Sequence, residues 1–385
     1  MKLVRYFVIL TTCIILWYSC ANHDLFAPSH DLQIHLRWIK SHPAETKNDV
    51  MTGLLWTLSF LGAELPKGAM EKAVVWNDER TFRLDLITAG FSAAAQQPLR
   101  ELLSVLKNSN EYRIHGSFDL GRFTMLTLNS PYHYYEITGA KEKLSEFRSQ
   151  YDFVEKKAGI IHSSIAVGNR VVEISEANAF HKIAFIGIEG EGRVDENSFE
   201  AKEFEALDFM PNGQLRFALY DLHGNLKSSA SPSLTRAGKP AKCLWCHEIR
   251  LLPPFQDNNQ LTEYWSTEEF KNMLDERMKL VDQHRKELGT EIDFSKTQDH
   301  TKAELLYLSF MEPSAERIAG EWGISLDEVR SRLNGLSTHP HAEFSFLGSQ
   351  LYHRKDIDHL APYENIKIAD DARDASVYEP DFISR

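Results

Sequence analysis

The residues whose types and spacing suggest chemistry most directly are Cys243-Leu244-Trp245-Cys246-His247. Two thiols are separated by two residues, and an imidazole directly follows the second thiol. With four cysteines and sixteen histidines among 385 residues, chance would produce this Cys-x-x-Cys-His pattern roughly 0.002 times. Two thiols at this spacing can both bond to the same group, and the adjacent imidazole can act as a metal ligand.

This spacing is that of the attachment site of a c-type haem. The thiols add across the haem vinyl groups as thioethers, and the adjacent imidazole reaches the iron as its axial ligand. The spacing is tight because both sulfurs must meet fixed positions on one porphyrin edge while the histidine reaches beneath the ring. We therefore predict one covalent haem c, attached at Cys243 and Cys246 and ligated by His247.

Three other uses of the cysteine pair stay open. A thioredoxin-like redox pair would sit where a strand opens into a helix of a βαβ unit, whereas residues 228–240 are rich in Ser, Pro and Gly, as in a loop. A structural zinc site would need two further Cys or His ligands, but Cys13 and Cys20 lie in or beside a signal sequence. A simple disulfide beside an incidental histidine is the third alternative.

From about Ala237 to Phe255 the chain resembles the c-type cytochromes, because this segment contains the Cys-x-x-Cys-His motif. The resemblance covers only this segment of a chain that is far longer than a minimal cytochrome c. It implies thioether bonds at Cys243 and Cys246, axial ligation by His247, and a role in electron transfer. It implies nothing about the rest of the chain.

The N-terminus has the features of an exported protein. Lys2 and Arg5 form a positive start, and residues 6–18 form an apolar or weakly polar run. This run is shorter than the about 20 apolar residues that span a membrane. It ends in Trp17-Tyr18-Ser19-Cys20, which resembles a bacterial lipobox even though Trp17 replaces the usual aliphatic residue. We expect a signal peptide over residues 1–19 and a lipid anchor at Cys20, with an uncleaved or differently cleaved signal as the alternative.

The charge balance argues against nucleic acid as a partner. Without Lys2 and Arg5 the chain has 41 basic and 55 acidic residues, a formal charge of −14. An acidic exported protein lacks the basic face that attracts phosphates. With two cysteines on haem and one on lipid, no pair remains for a structural disulfide. Stability must then come from burial of a core, which a chain of about 365 residues can supply.

We expect an α+β fold with three main parts behind the signal peptide. Residues 20–153 form a mixed α/β region, residues 154–236 an antiparallel β-rich region, residues 237–336 the haem-attachment loop with a helical region, and residues 337–385 an irregular tail.

Apolar spacing predicts several elements of the first part. Helices are expected over residues 48–61 and 99–106, and a hairpin over residues 73–90. The aromatic cluster at residues 132–135 is expected to be a packed strand, in which His133 is a lesser candidate to face a haem.

The second part has the pattern of short antiparallel strands. A hairpin is expected over residues 164–174 around Gly168-Asn169, and residues 189–205 are expected to form a solvated acidic surface, with cation binding as the alternative. Such a sheet beside a haem resembles β-rich haem enzymes that oxidise hydroxylamine, and the resemblance implies oxidation of a small nitrogen compound as an alternative function. Further strands are predicted over residues 183–188, 204–210, 215–220 and from Leu226 onward.

The third part has a helical pattern. A capping box over residues 266–269 opens a helix that we expect to run to about Leu288, and a second helix is expected over residues 301–310. Small and apolar residues within 313–333 match the spacing of a DNA-binding helix-turn-helix. Two helices that cross closely need the same residues, and the acidic exported chain argues against DNA, so we expect a packed helix pair.

The ligand on the iron opposite His247 decides the function. A methionine or second histidine there gives a six-coordinate electron carrier, while an open face lets a small molecule bind. Met311, beside Pro313 at the end of a predicted helix, best matches the position of a distal methionine. An open face is the main alternative. The other candidate ligands are Met273, Met278, His284, His300, His339 and His341.

Basic residues flank the motif. They can pair with the haem propionates or form a small positive docking patch, and ordinary solvated charges account for them equally well. They are Arg236, Lys239, Lys242 and Arg250.

These observations predict an extracytoplasmic, membrane-tethered, single-haem c-type cytochrome that passes electrons to redox partner proteins of the cell envelope. The alternative is a haem enzyme or sensor whose open iron acts on a small molecule, through oxidation of a nitrogen compound or peroxide chemistry. A third class is an adhesion or binding module in which the cysteine pair is only structural.

Overall fold

The computed structural model describes residues 30–163, 165–247, 249–252, 263–296 and 298–368. The expected signal peptide, Cys20 and the end of the predicted tail lie outside the described residues. In these ranges, none of the helices has both the length and the apolar character that a membrane crossing requires. Helices and two separate sheets make the fold α+β, as the sequence predicted.

The first sheet and seven helices come from the N-terminal part of the described chain. They are β1 (Gln33–Arg37), α1 (Lys47–Phe60), α2 (Ala69–Ala73), β2 (Val74–Trp76), β3 (Thr81–Asp85), α3 (Ala93–Asn108), α4 (Asn110–His115), β4 (Phe118–Asp119), α5 (Leu120–Leu128), α6 (Pro131–Thr138) and α7 (Leu144–Arg148). The sheet order is β2-β3-β1-β4, with only the β1–β4 pair parallel. The predicted hairpin is confirmed as β2 and β3, and both predicted helices are confirmed as α1 and α3.

The second sheet is an antiparallel meander in which each strand pairs with the next. Its strands are β5 (Ala158–Ile160), β6 (Arg170–Ile174), β7 (Ala184–Glu191), β8 (Glu200–Phe209) and β9 (Leu215–Asp221). The strands predicted over residues 183–188, 204–210 and 215–220 are therefore confirmed. A turn with Gly213 at a φ of +83° joins β8 to β9.

Six further helices follow. They are α8 (Pro240–His247), α9 (Thr267–Glu287), α10 (Thr301–Met311), α11 (Ala315–Trp322), α12 (Leu326–Arg332) and α13 (Arg354–Ile357). The predicted capping box is present, because the Ser266 hydroxyl accepts from the Glu269 amide and the Glu269 carboxylate accepts from the Ser266 amide. The motif, expected in a loop, forms the last turns of α8.

Four local predictions are wrong. Residues 132–135 lie in α6, which Pro131 opens and Gly139 closes at a φ of +68°, rather than in a strand. The strand that pairs with β6 is β5, so residues 161–169 connect two strands instead of forming half of a tight hairpin. Leu226 makes one isolated bridge and starts no strand. The acidic residues 189–205 include the end of β7 and the start of β8 instead of forming one solvated surface.

The helix α10 lies at the centre of the N-terminal helices. Every residue from Ala303 to Met311 is buried, and α10 packs against α1 and α5. Glycines allow both contacts: a Cβ at Gly53 would lie 2.7 Å from Leu306 Cδ1, and one at Gly121 would lie 2.8 Å from Phe310 Cβ. These contacts set the position of α10 on two sides.

A cluster of buried charges joins the N-terminal helices to the C-terminal segment. The carboxylate of Glu321 on α11 forms salt bridges with Arg122 at 3.0 Å and with Arg317 and Arg354 at 2.8 Å. Because these four side chains are almost fully buried, α11 is held against the rest of the fold. The predicted packed helix pair is confirmed, since α11 also packs against α12.

Candidate functional site

The motif side chains lie on two faces of α8. Trp245 is buried, and its ring centroid lies 5.9 Å from that of Phe60 and 6.0 Å from that of Tyr307. Cys246 and His247 follow Cys243 by three and four residues, and each of these spacings places a side chain on the helix face of Cys243. The core contacts of Trp245 therefore orient the reactive face, which α8 presents beside β9.

This reactive face lines a cavity of about 360 Å³. Its size falls within the roughly 300–1,000 Å³ of small-molecule and cofactor sites. Most of its remaining wall is apolar. The second sheet contributes Val172, Phe185, Phe217 and Leu219, and α9 contributes Phe270 and Leu274. The cavity can therefore enclose a large apolar group next to both thiols.

The Cys243 thiol does not have the character of a reactive redox thiol. Cys243 is half-buried, Cys246 is exposed, and neither forms a disulfide. Burial, with a smaller contribution from the charge of Glu205, raises the pKa of the Cys243 thiol well above its ordinary value, whereas reactive thiols have a lowered pKa. The adjoining sheet is antiparallel, and irregular chain over residues 222–239 separates it from α8, so the described residues around the motif form no βαβ unit.

Among the described residues, the motif is not part of a preformed zinc site. The donor atoms of Cys243, Cys246 and His247 do not all lie within 4.8 Å of one another, as the ligands of one small cation would. Structural zinc sites are closed four-coordinate sites with bonds of about 2.0–2.3 Å. The side chains are instead spread along the edge of a cavity that is much larger than an ion.

His247 is held as a neutral imidazole. Burial lowers its pKa to about 4, and the positive charge of Arg170 adds to this effect while the backbone of Arg250 opposes it. Its Nδ1 atom is buried and has no hydrogen-bond partner among the described residues. A neutral, half-buried imidazole whose Nδ1 has no hydrogen-bond partner in the described part of the chain fits an axial iron ligand.

The polar part of the cavity wall contains an ion pair that the sequence did not reveal. Arg170 on β6 pairs with Glu189 on β7 and Glu205 on β8. Burial opposes the charge of Arg170, but the two carboxylates outweigh it and raise the pKa of the guanidinium above its ordinary value. The alternation of apolar and polar residues along each strand did not indicate that these three side chains, which lie on three neighbouring strands, contact one another.

The acidic residues that we expected to be solvated are therefore partly internal. Glu189 and Glu203 are buried, and Glu203 pairs with Lys227 and accepts hydrogen bonds from Ser231. Burial is expensive for an isolated carboxylate, and the ion pairs offset only part of this cost: at Glu189 burial outweighs the charge of Arg170 and raises the pKa of the carboxyl above its ordinary value. The prediction of a solvated acidic surface is wrong for these positions.

Two of the four flanking cations line the cavity. Arg236 is exposed and Lys242 is half-buried on its wall, where either can reach an anionic group in the cavity. Lys239 is fully buried next to the start of α8, and Arg250 is exposed outside the described lining.

The structure does not bring the predicted distal methionine to the motif. Met311 is buried in the core at the end of α10 and does not line the cavity. His133 lies on α6, also away from the lining, and burial lowers its pKa to about 4. The remaining candidates are likewise outside the described lining. These are Met273, Met278, His284, His300, His339 and His341.

Comparison of the chain with protein-family models, curated proteins and solved structures finds no match. The functional argument therefore depends on the residues of this chain.

Proposed function

We propose that this protein is a c-type haem protein that carries one covalent haem c in the cavity beside α8. The observation that supports this proposal is the convergence of two thiols and a neutral imidazole on one mainly apolar cavity. Cys243 and Cys246 would form the thioethers, and His247 would be the axial ligand. The haem would supply a redox-active iron.

The chain's other residues suit such a group. The aromatic and aliphatic side chains from β6, β7, β9 and α9 give the cavity a mainly apolar wall, which limits the access of solvent to a bound group. Arg236 and Lys242 place positive charge on the wall, where propionates need partners. Phe217 packs against the imidazole of His247 and restricts its orientation.

The sequence predicted either an electron carrier with a second axial ligand or a haem enzyme or sensor without one. The residues that line the cavity favour an iron with no protein ligand opposite His247. Apart from His247, the described lining contains no histidine and no methionine. Residues 253–262, which follow Leu252 and are not described, contain neither type in their sequence. We therefore propose that the iron face opposite His247 binds a small molecule, as in a haem enzyme or sensor.

An electron carrier is the second candidate, and the exposure of Cys246 favours it. An exposed attachment cysteine places one edge of the haem near solvent, where a redox partner protein can approach.

In either case the N-terminal sequence supports export, lipidation at Cys20 and a place in the cell envelope, outside the cytoplasm. The acidic charge disfavours nucleic acid as a partner.

Acid–acetone extraction of the full-length protein, produced with a c-type haem maturation pathway, tests the covalent haem. We expect the colour to stay with the wild-type protein and with the exposed control His181→Ala, and to be lost from the Cys243→Ala/Cys246→Ala variant. Extraction of the haem from wild-type protein would overturn the c-type assignment.

Carbon monoxide distinguishes the two functional candidates. We expect the spectrum of the dithionite-reduced protein to shift when carbon monoxide is added, because an open iron binds it directly. Covalent haem with a spectrum that carbon monoxide does not change would reject the open iron and leave the electron carrier.

A further inference from the structure

Three separate chain segments meet at the C-terminal end of α10, away from the cavity. Glu312 is the first residue after α10, His339 lies in the segment that follows α12, and His353 directly precedes α13. One oxygen of Glu312 and one ring nitrogen of each histidine all lie within 4.8 Å of one another. No other group of three such side chains is this close in the described part of the chain.

The individual contacts show how closely these groups approach. Glu312 Oε2 lies 2.9 Å from His339 Nε2, and the imidazoles of His339 and His353 are stacked with centroids 4.0 Å apart and planes 14° apart. Bonds of about 2.0–2.1 Å to a tetrahedral cation require donor atoms about 3.4 Å apart. Metal binding would replace the His339–Glu312 hydrogen bond with release of its proton, and one imidazole would turn out of the stack so that both ring nitrogens face the ion.

The backbone holds the segments in place without a metal. His339 and Leu351 exchange two backbone hydrogen bonds of 3.0 Å, and the Tyr352 amide donates to the Pro313 carbonyl at 3.0 Å. Leu351 is buried with Leu305 and Leu347 in a small apolar cluster. Because Pro313 follows Glu312 and Tyr352 precedes His353, these bonds fix the ligand positions relative to one another.

A nearby histidine has a different role. His341 Nδ1 accepts hydrogen bonds from the amides of Glu343 and Phe344, both at 3.1 Å. The Nδ1 lone pair is therefore already used by two backbone amides, and Nε2 lies 4.0 Å from Glu312 Oε2. This arrangement leaves three ligands, not four.

The geometry points to a site for a zinc-class divalent cation formed by Glu312, His339 and His353. Two neutral imidazoles and one carboxylate are the donor set of open, three-residue zinc sites, in which water takes the fourth position. His353 is exposed, so a cation and its water can enter from solvent. The site does not depend on the haem, and binding would tie the segment around residues 339–353 to the end of α10.

Zinc titration of the full-length, haem-loaded protein without a histidine tag tests the site. After dialysis against EDTA, calorimetry and metal analysis should give about one zinc ion per chain. We expect His353→Ala, an exposed position, and Glu312→Gln to weaken binding by more than about tenfold. Zinc should also raise the melting temperature of the wild type but not of His353→Ala.

Two controls separate this site from other zinc ligands. His359→Ala changes an exposed histidine in the same C-terminal segment and should bind zinc like the wild type. The Cys243→Ala/Cys246→Ala variant should also bind zinc normally, whether or not the haem proposal holds. Absence of wild-type binding, full binding by both ligand variants, or loss of binding in the cysteine variant would overturn the proposal.

Discussion

The imidazole of His247 lies against the phenyl ring of Phe217, with ring centroids 5.2 Å apart and planes tilted by 44°. His247 ends α8 and Phe217 lies in β9, so the contact links the motif helix to the second sheet. Aromatic contacts of this kind contribute about 0.5–1.5 kcal/mol beyond burial of their area. An imidazole whose orientation is already restricted loses less conformational entropy when it binds a metal.

His247→Ala should keep covalent haem but lose the axial ligand. We expect the Soret band to move and the iron to become high-spin, because the thioethers remain while the imidazole is gone. Added imidazole should restore much of the wild-type spectrum. His181→Ala, which changes an exposed histidine, provides the control. A wild-type spectrum in His247→Ala would mean that His247 does not ligate iron.

Met311→Ala should affect stability and leave the iron unchanged. Met311 is 2% exposed in the core, so truncation should lower the free energy of unfolding by about 2–5 kcal/mol. We expect the same visible spectrum and carbon monoxide binding as in the wild type. A different outcome would support the prediction made from the sequence. If Met311→Ala lost a weak charge-transfer band near the red edge of the visible spectrum and its reduction potential fell, Met311 would be the distal iron ligand.

Glu321→Gln should destabilise the protein by about 3–5 kcal/mol at neutral pH, because three buried arginines lose their common carboxylate. Chemical denaturation measures this change. Glu316→Gln on the same helix removes an exposed pair with Arg330 and should cost no more than about 1 kcal/mol. Equal effects of the two variants would show that the buried cluster contributes no special stability.

The pH dependence of the Glu321 effect follows from the same contacts. Burial opposes its charge, but Arg354, Arg122 and Arg317 outweigh burial and lower its pKa from 4.5 to about 2. A carboxyl with a lowered folded-state pKa stabilises the fold above its unfolded-state pKa. The difference in stability between wild type and Glu321→Gln should therefore narrow as the pH falls from about 4.5 towards 2, when denaturation is repeated across this range.

Cys20→Ser should release the protein from the membrane fraction, because a cleaved chain without acyl groups has no anchor. Fractionation with an immunoblot measures the distribution, and Cys13→Ser serves as the control within the expected signal peptide. If mass spectrometry of the wild-type protein finds residues 1–19 intact and Cys20 without a lipid, the signal is uncleaved.

The helices that were predicted correctly from the sequence are those indicated by residues close to one another in the chain. The capping box at Ser266 and Glu269 and the spacing of apolar residues in α1 depend on neighbours within one or two turns. Residues 132–135 were misassigned because their aromatic side chains favour strands. Pro131 and Gly139, which mark the two ends of a helix, were the more informative signals.

Contacts between distant segments were not predictable from one sequence. Arg170 and Glu205 are 35 residues apart, and only the register of the second sheet brings them together. The approach of His339 and His353 to Glu312 likewise depends on how the segment after α12 folds back onto α10. The position of Met311 in the core reflects the three-dimensional packing of α10, which its sequence neighbours did not indicate.

The location of the motif depends on two glycines, Gly53 and Gly121, because they let α1 and α5 approach α10 closely. An alanine at Gly53 or Gly121 would collide with α10 and push it outward. Tyr307 on that helix contacts Trp245, so the displacement would reach the middle of the Cys-x-x-Cys-His segment. Gly53 and Gly121, which have no reactive group and lie more than 120 positions before the motif, therefore influence where both thiols and the imidazole line the cavity.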